Sequence, residues 1–91
     1  MEIEYRKESE ILKALAHPVR LQIIETIAKL RKDECSVTTI QKNLDIPQST
    51  ISQHLQILRN KGIIDGSKKG IEVCYKVIDK RVTEIMQILK K

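Results

Sequence analysis

Aromatic residues are almost missing from this 91-residue chain, which has two tyrosines and neither phenylalanine nor tryptophan. Any core must therefore be aliphatic. The stacking platform by which single-strand nucleic-acid binders hold successive bases is excluded, which leaves duplex as the better partner for a basic chain. There is no glycine-rich phosphate loop and no nucleophile with an evident base, and the chain is too short to build a substrate pocket beyond its core, so no enzyme is expected. No apolar run approaches the length needed to span a bilayer, and the N-terminal MEIEYRKESE is charged where a secretion signal would be apolar. A cytoplasmic protein with no membrane association is expected. The two cysteines, Cys35 and Cys74, fit a reducing compartment and do not resemble a secreted disulfide framework.

The most informative absence is local: no Asp or Glu occurs from Pro47 to Gly62. Within that stretch Ile51, Leu55 and Leu58 fall at i, i+4 and i+7, one apolar stripe of a helix. Ser49, Gln53, Gln56 and Asn60 lie opposite, flanked by Thr50 and Ser52. Short hydroxyls and amides of this kind hydrogen-bond to base edges, and the following Arg59 and Lys61 suit phosphates. A solvated helix face would ordinarily mix in carboxylates. A shorter helix precedes it, with Ser36 as N-cap and Val37, Ile40 and Leu44 as its buried edge, ending at Asp45-Ile46-Pro47. Pro47 disfavours helix at Ile46 and suits the first position of the next helix. Two helices so joined are a helix-turn-helix, whose second member enters the major groove; a helix-turn-helix used only for protein-protein contact is the alternative.

The net charge of +5 is unevenly placed. Residues 1–35 carry seven basic and seven acidic side chains, and residues 36–91 carry ten and five. The positive excess therefore sits with the helix-turn-helix and the segment C-terminal to it. Upstream, Glu8 to Leu15 has a helical pattern with Ile11, Leu12 and Leu15 apolar. His17-Pro18 interrupts it, and Pro18 opens a second helix with a broad apolar arc of Val19, Leu21, Ile23, Ile24, Ile27, Ala28 and Leu30, expected as the scaffold under the helix-turn-helix. His17 has no ligand partner at metal spacing and is expected at a helix boundary.

After Gly62, a helix stop, the period becomes alternating. Ile71, Val73, Tyr75 and Val77 interleave with Glu72, Cys74 and Lys76, which predicts a β-hairpin with Lys68, Lys69 and Gly70 at its tip. A basic hairpin beside a recognition helix is the wing of a winged helix, with Lys68 and Lys69 on the sugar-phosphate backbone. Standing alone, it would read as a solvated hairpin with lysines protecting its edge. A last amphipathic helix begins at the cap Asp79, its stripe formed by Val82, Ile85, Met86, Ile88 and Leu89. The chain is thus expected to be one mainly α domain with a small hairpin (α+β), a winged helix-turn-helix of five helices. The helix-turn-helix spans 36–62, the wing 63–78 and the C-terminal helix 79–91. With the core already occupied, the terminal helices are expected to pair two copies about a twofold axis.

The segments ILKALAHPVRLQII, PQSTISQHLQILRNKGII and KKGIEVCYKV resemble the ArsR/SmtB family of bacterial winged-helix repressors, over about residues 8–91. The resemblance implies a homodimeric repressor that occupies an operator, which the expected twofold symmetry would make pseudo-palindromic. It implies base contacts from Gln48, Ser49, Thr50, Ser52 and Gln53. Backbone contacts are expected from Thr38, Thr39, His54, Arg59, Lys61, Lys68 and Lys69, although the helical wheel puts His54 beside the apolar stripe. The family's metal sites are not matched. Its Cys-x-Cys positions correspond to Ser36 and Thr38, and the last helix offers Asp79 and Glu84 without a histidine, so no metal and no cofactor are expected. In winged helices the segment before the helix-turn-helix often pairs with the outer wing strand, which would bring Cys35 near Cys74 and allow a thiol switch. Two unrelated thiols, or a repressor regulated without an inducer, are the alternatives.

Overall fold

The computed structural model describes residues 3–30 and 35–91. Its elements follow in the order α1 (Arg6–Leu15), α2 (Pro18–Lys29), α3 (Val37–Leu44), α4 (Gln48–Asn60), β1 (Ile64–Lys69), β2 (Glu72–Val77) and α5 (Lys80–Leu89). The continuation of the α2 pattern through Arg31 and Lys32 falls outside the described residues.

Helix boundaries follow side-chain chemistry. Pro18 is at the start of α2, where its missing N–H costs nothing, and the His17 ring caps that helix by accepting from the Val19 amide at 3.1 Å. Ser36 accepts from the Thr39 amide to open α3, and Asp79 accepts from the Arg81 amide to open α5. The C-terminus of α4 closes by paired bonds: Gly62 N–H reaches Arg59 O at 3.0 Å and Ile63 N–H reaches Leu58 O at 3.1 Å. This is the Schellman arrangement, and it requires a left-handed residue, supplied by Gly62 at φ 72°. Ile63 and Leu58, which the motif brings together, are both fully buried.

Three boundaries differ from the sequence pattern. Helix α1 starts at Arg6 rather than Glu8. Pro47 lies just outside α4 as its N-cap, in an extended conformation (ψ 140°), so Gln48 is the first helical residue. Ile71 is not on the strand face: β1 and β2 pair antiparallel from Ile64↔Val77 to Lys69↔Glu72, which leaves Gly70 and Ile71 as a two-residue loop. Gly70 takes φ 63° there, and Ile71 is wholly exposed.

The core is aliphatic, as the composition demands. Ile23, Ile24 and Ile27 of α2 meet Ile40 of α3, Ile51, Leu55 and Leu58 of α4, Ile63 and Ile64 before and in β1, and Val82 of α5. Val73, Tyr75 and Val77 are half-buried along one face of the hairpin. The segment before α3 joins that hairpin: Ser36 bridges Cys74, and Tyr75 N–H donates to Cys35 O at 2.9 Å. Cys35 and Cys74 are joined by a disulfide with their Cα atoms 4.7 Å apart. The start of α3 and the outer wing strand are thereby fixed to one another.

Candidate nucleic-acid interface

Helix α4 is held by its inner stripe. Ile51, Leu55 and Leu58 are at most 2 % exposed, each worth about 1.5–3 kcal/mol when fully buried. That burial fixes the helix's rotation, so the opposite side must face outward. Gln48, Ser49, Ser52, Gln53, Gln56, Arg59 and Asn60 are exposed and Thr50 is half-buried. Gln56 donates to Asn60 Oδ1 at 2.8 Å, one turn on, which orders the far end of the row. Pro47 gives α4 no side-chain cap, and the first turn carries no acid. The positive end of the helix dipole therefore coincides with Gln48, Ser49 and Thr50, which favours an anion there.

The turn between α3 and α4 depends on one residue. Asp45 caps α3 in the left-handed region at φ 54°, and its amide donates to Gln41 O at 2.8 Å. Half-buried Ile46 then anchors the turn on the core. Thr38 is exposed at the start of α3. Thr39 is partly engaged by its own helix, its hydroxyl lying 3.2 Å from Ser36 Oγ and its carbonyl accepting from Asn43 at 2.8 Å.

The cations expected at phosphates are not equivalent. Arg59 and Lys68 are exposed. Lys61 is ion-paired with Glu10 of α1 at 3.0 Å, and the Lys61 hydrogen bond and charge hold that carboxyl below its ordinary range. Lys69, also exposed, stands across the ladder from Glu72, so the wing tip carries an acid beside its lysines.

His54 is half-buried at the seam between α4 and α2. Its Nδ1 lies 3.3 Å from Arg20 Nη1, and its ring centroid is 4.5 Å from that of His17. Burial first, then the neighbouring His17 and Arg20, push its pKa down from 6.5. The sequence pattern does not reveal Arg20 in this role. The available hint is an arginine between Val19 and Leu21, on a helix with a broad apolar arc. Among the described residues no three His, Cys, Asp or Glu side chains gather as a metal site, and none of the described helices is long and apolar enough to cross a membrane.

A winged helix-turn-helix with an outward, acid-free second helix defines the class: a regulator built to present one helix to a large polar partner. The sequence profile of the bacterial regulatory proteins of the arsR family matches residues 17–65, which span α2 through the first residues of β1. The chain belongs to that family, whose members regulate transcription and are not enzymes. It is 38% identical over 86 residues to an HTH-type transcriptional regulator of Methanocaldococcus jannaschii, covering 94% of each chain. It is 37% identical over 90 residues to the transcriptional repressor PagR of Bacillus anthracis, covering 96% of this chain and 88% of PagR. The crystal structure of PagR superposes with a TM-score of 0.80 over 91% of this chain and 92% of that one. A homodimeric winged helix-turn-helix domain from Mycobacterium bovis, at 22% identity, shares the fold with a TM-score of 0.81 over 99% of this chain and 84% of that one.

Proposed function

We propose that this protein is a homodimeric transcriptional repressor that reads a pseudo-palindromic duplex operator with α4. The observation that carries the reading is the division of α4 into a fully buried aliphatic stripe and an exposed, acid-free row of amides and hydroxyls. Gln48, Ser49, Thr50, Ser52 and Gln53 meet base edges, and Thr38, Thr39, Arg59, Lys61, Lys68 and Lys69 meet the backbone. Lys61 makes its contact by leaving or sharing its pair with Glu10, an exposed pair that costs little to open. PagR, which is a repressor, and the homodimeric M. bovis domain support the sign of regulation and the assembly.

The dimer forms through the terminal helices. Leu12 of α1, Ile88 and Leu89 of α5 and the preceding Ile3 are all more than half exposed, an apolar surface at both ends of the chain that the monomer leaves uncovered. Twofold symmetry then sets the two α4 helices about one turn of duplex apart, roughly 34 to 36 Å. The Cys35–Cys74 disulfide makes the regulator thiol-responsive. Reduction by a dithiol, which is itself oxidised to a disulfide, would release the wing strand from the start of α3 and weaken backbone contact. Disulfides are uncommon in reducing cytoplasm, which makes the bond a candidate for regulation rather than a permanent brace.

Selection of bound duplexes from a random pool, repeated with a dithiol reductant, tests the reading. It predicts recovery of a palindromic sequence, bound more weakly after reduction. Enrichment of no sequence would support a protein-interaction module instead. Equal binding by both thiol states would remove the switch alone.

A further inference from the structure

The contact between Arg20 and His54 joins three helices, and no apolar pattern demands it. Helix α1 ends with carbonyls that have no partner within the helix. Arg20 supplies one: its Nε donates to Ala14 O at 2.5 Å, with Nη2 3.5 Å from Lys13 O. The other arm of the planar guanidinium reaches His54 Nδ1 at 3.3 Å, thirty-four residues away on α4. Because arginine is always the donor, His54 Nδ1 must be the acceptor, which assigns the neutral imidazole protonated at Nε2. His17 is in the same form, since its Nδ1 accepts from Val19. Its ring lies against that of His54, tilted by 47°.

We propose that Arg20 is a positioning residue for the recognition helix: braced on the end of α1, it holds His54 by Nδ1 and so fixes the orientation in which α4 meets duplex. This rests on the reading of α4 as the DNA-binding helix. It also connects that helix to α1, which the proposed dimer uses, and the Glu10–Lys61 pair makes a second tie between α1 and the end of α4.

The device has a direction in pH. A proton on His54 Nδ1 removes the acceptor and sets an imidazolium beside a guanidinium. From α2 the groups facing His54 are the Arg20 guanidinium and the His17 ring. From α1 only the Lys13 and Ala14 carbonyls reach the guanidinium, while the Glu10 and Lys13 side chains pair at the surface. No carboxylate is among the groups that shift His54, and its pKa is lowered. The unfolded chain therefore takes up this proton more readily than the folded one. The clamp's contribution is fully present above about pH 6.5, the ordinary value, and is lost as pH falls through the lower value that His54 has in the fold.

Fluorescence anisotropy of a labelled duplex recovered by selection, at fixed ionic strength, reads the proposal through wild type, Arg20→Ala and His54→Gln. Glutamine keeps an acceptor for Arg20 and cannot take a proton. Wild type should lose about tenfold in affinity as pH is lowered from about 7.5 through the range in which His54 takes up its proton, the scale of one lost hydrogen bond. His54→Gln should show a flat profile, staying within about twofold of its own upper-pH affinity across the range. Arg20→Ala should be about tenfold weaker at the upper pH. Affinity that rises on acidification in wild type but not in His54→Gln would overturn the proposal in favour of His54 resting directly on a phosphate. Superposable profiles for wild type and His54→Gln would overturn it as well. Should Arg20→Ala fail to fold, the His54→Gln profile decides alone. If wild type binds no duplex at any pH, the reading of α4 as DNA-binding has failed. Nitrogen NMR of the imidazoles then decides the clamp: Nε2–H on His54 supports it, and Nδ1–H overturns it.

Discussion

Helices α4 and α5 are both amphipathic and of similar length, thirteen and ten residues, yet the fold treats their apolar faces oppositely. The stripe of α4 is consumed by the chain's own core, with Ile51, Leu55 and Leu58 all buried. Only Val82 of α5 is buried. Ile85 and Met86 are half-covered, and Ile88 and Leu89 are 65% exposed. A helix whose apolar face is spent inside can offer only its polar face to a partner, and on α4 that face is free of acid. A helix whose apolar face is unspent calls for apolar cover. In the proposed function the same period serves reading in one helix and assembly in the other, and periodicity alone does not tell them apart.

The largest effect expected from breaking this contrast is on stability. Leu55→Ala should cost about 2–5 kcal/mol, seen as a lower midpoint in chemical unfolding, because it opens a cavity in the one core. Leu89→Lys should leave the fold intact and weaken self-association by an order of magnitude or more, read by analytical ultracentrifugation, since a charge would enter the proposed interface. A sharper test of the outer face of α4 is Gln53→Ala, which should narrow the preference for the selected duplex over a scrambled one by about 1–3 kcal/mol. Asp79→Ala should destabilise α5 by about 1 kcal/mol through loss of its cap. In wild type the Arg81 hydrogen bond holds the Asp79 carboxyl below its ordinary value of 3.8. That contribution is present above about pH 4 and lost as pH falls further, which acid unfolding of the two proteins would reveal. The smallest expected effect is that of Lys68→Ala. It should weaken binding to all duplexes alike and reduce the salt slope by about one.

Much of this division is written in the amino-acid order itself. Ser36, Pro18, Gly62 and Asp79 mark helix ends because capping is local chemistry, complete within a few residues. The α4 stripe is legible because a three-residue set at helical spacing has one way to pack. The misplaced residues have equally physical reasons. Ile71 continues the alternation of β2 in sequence, but the cross-strand register stops at Glu72, and register is a property of two strands. Pro47 satisfies both the N-cap and the first helical position, and only backbone geometry separates them. Arg20 and His54 are joined across α2 and α4 by a contact that neither helix's own pattern encodes. The wheel does put His54 at the edge of the stripe, which is where the structure has it.

Whether the outward face of α4 meets duplex is decided by a salt titration of the selected duplex. Log affinity should fall linearly with log salt, with a slope of several ions, while the preference over scrambled duplex persists in wild type and shrinks in Gln53→Ala. A purified protein that binds no duplex even at about 50 mM salt would contradict the assignment of α4 as a DNA-reading helix.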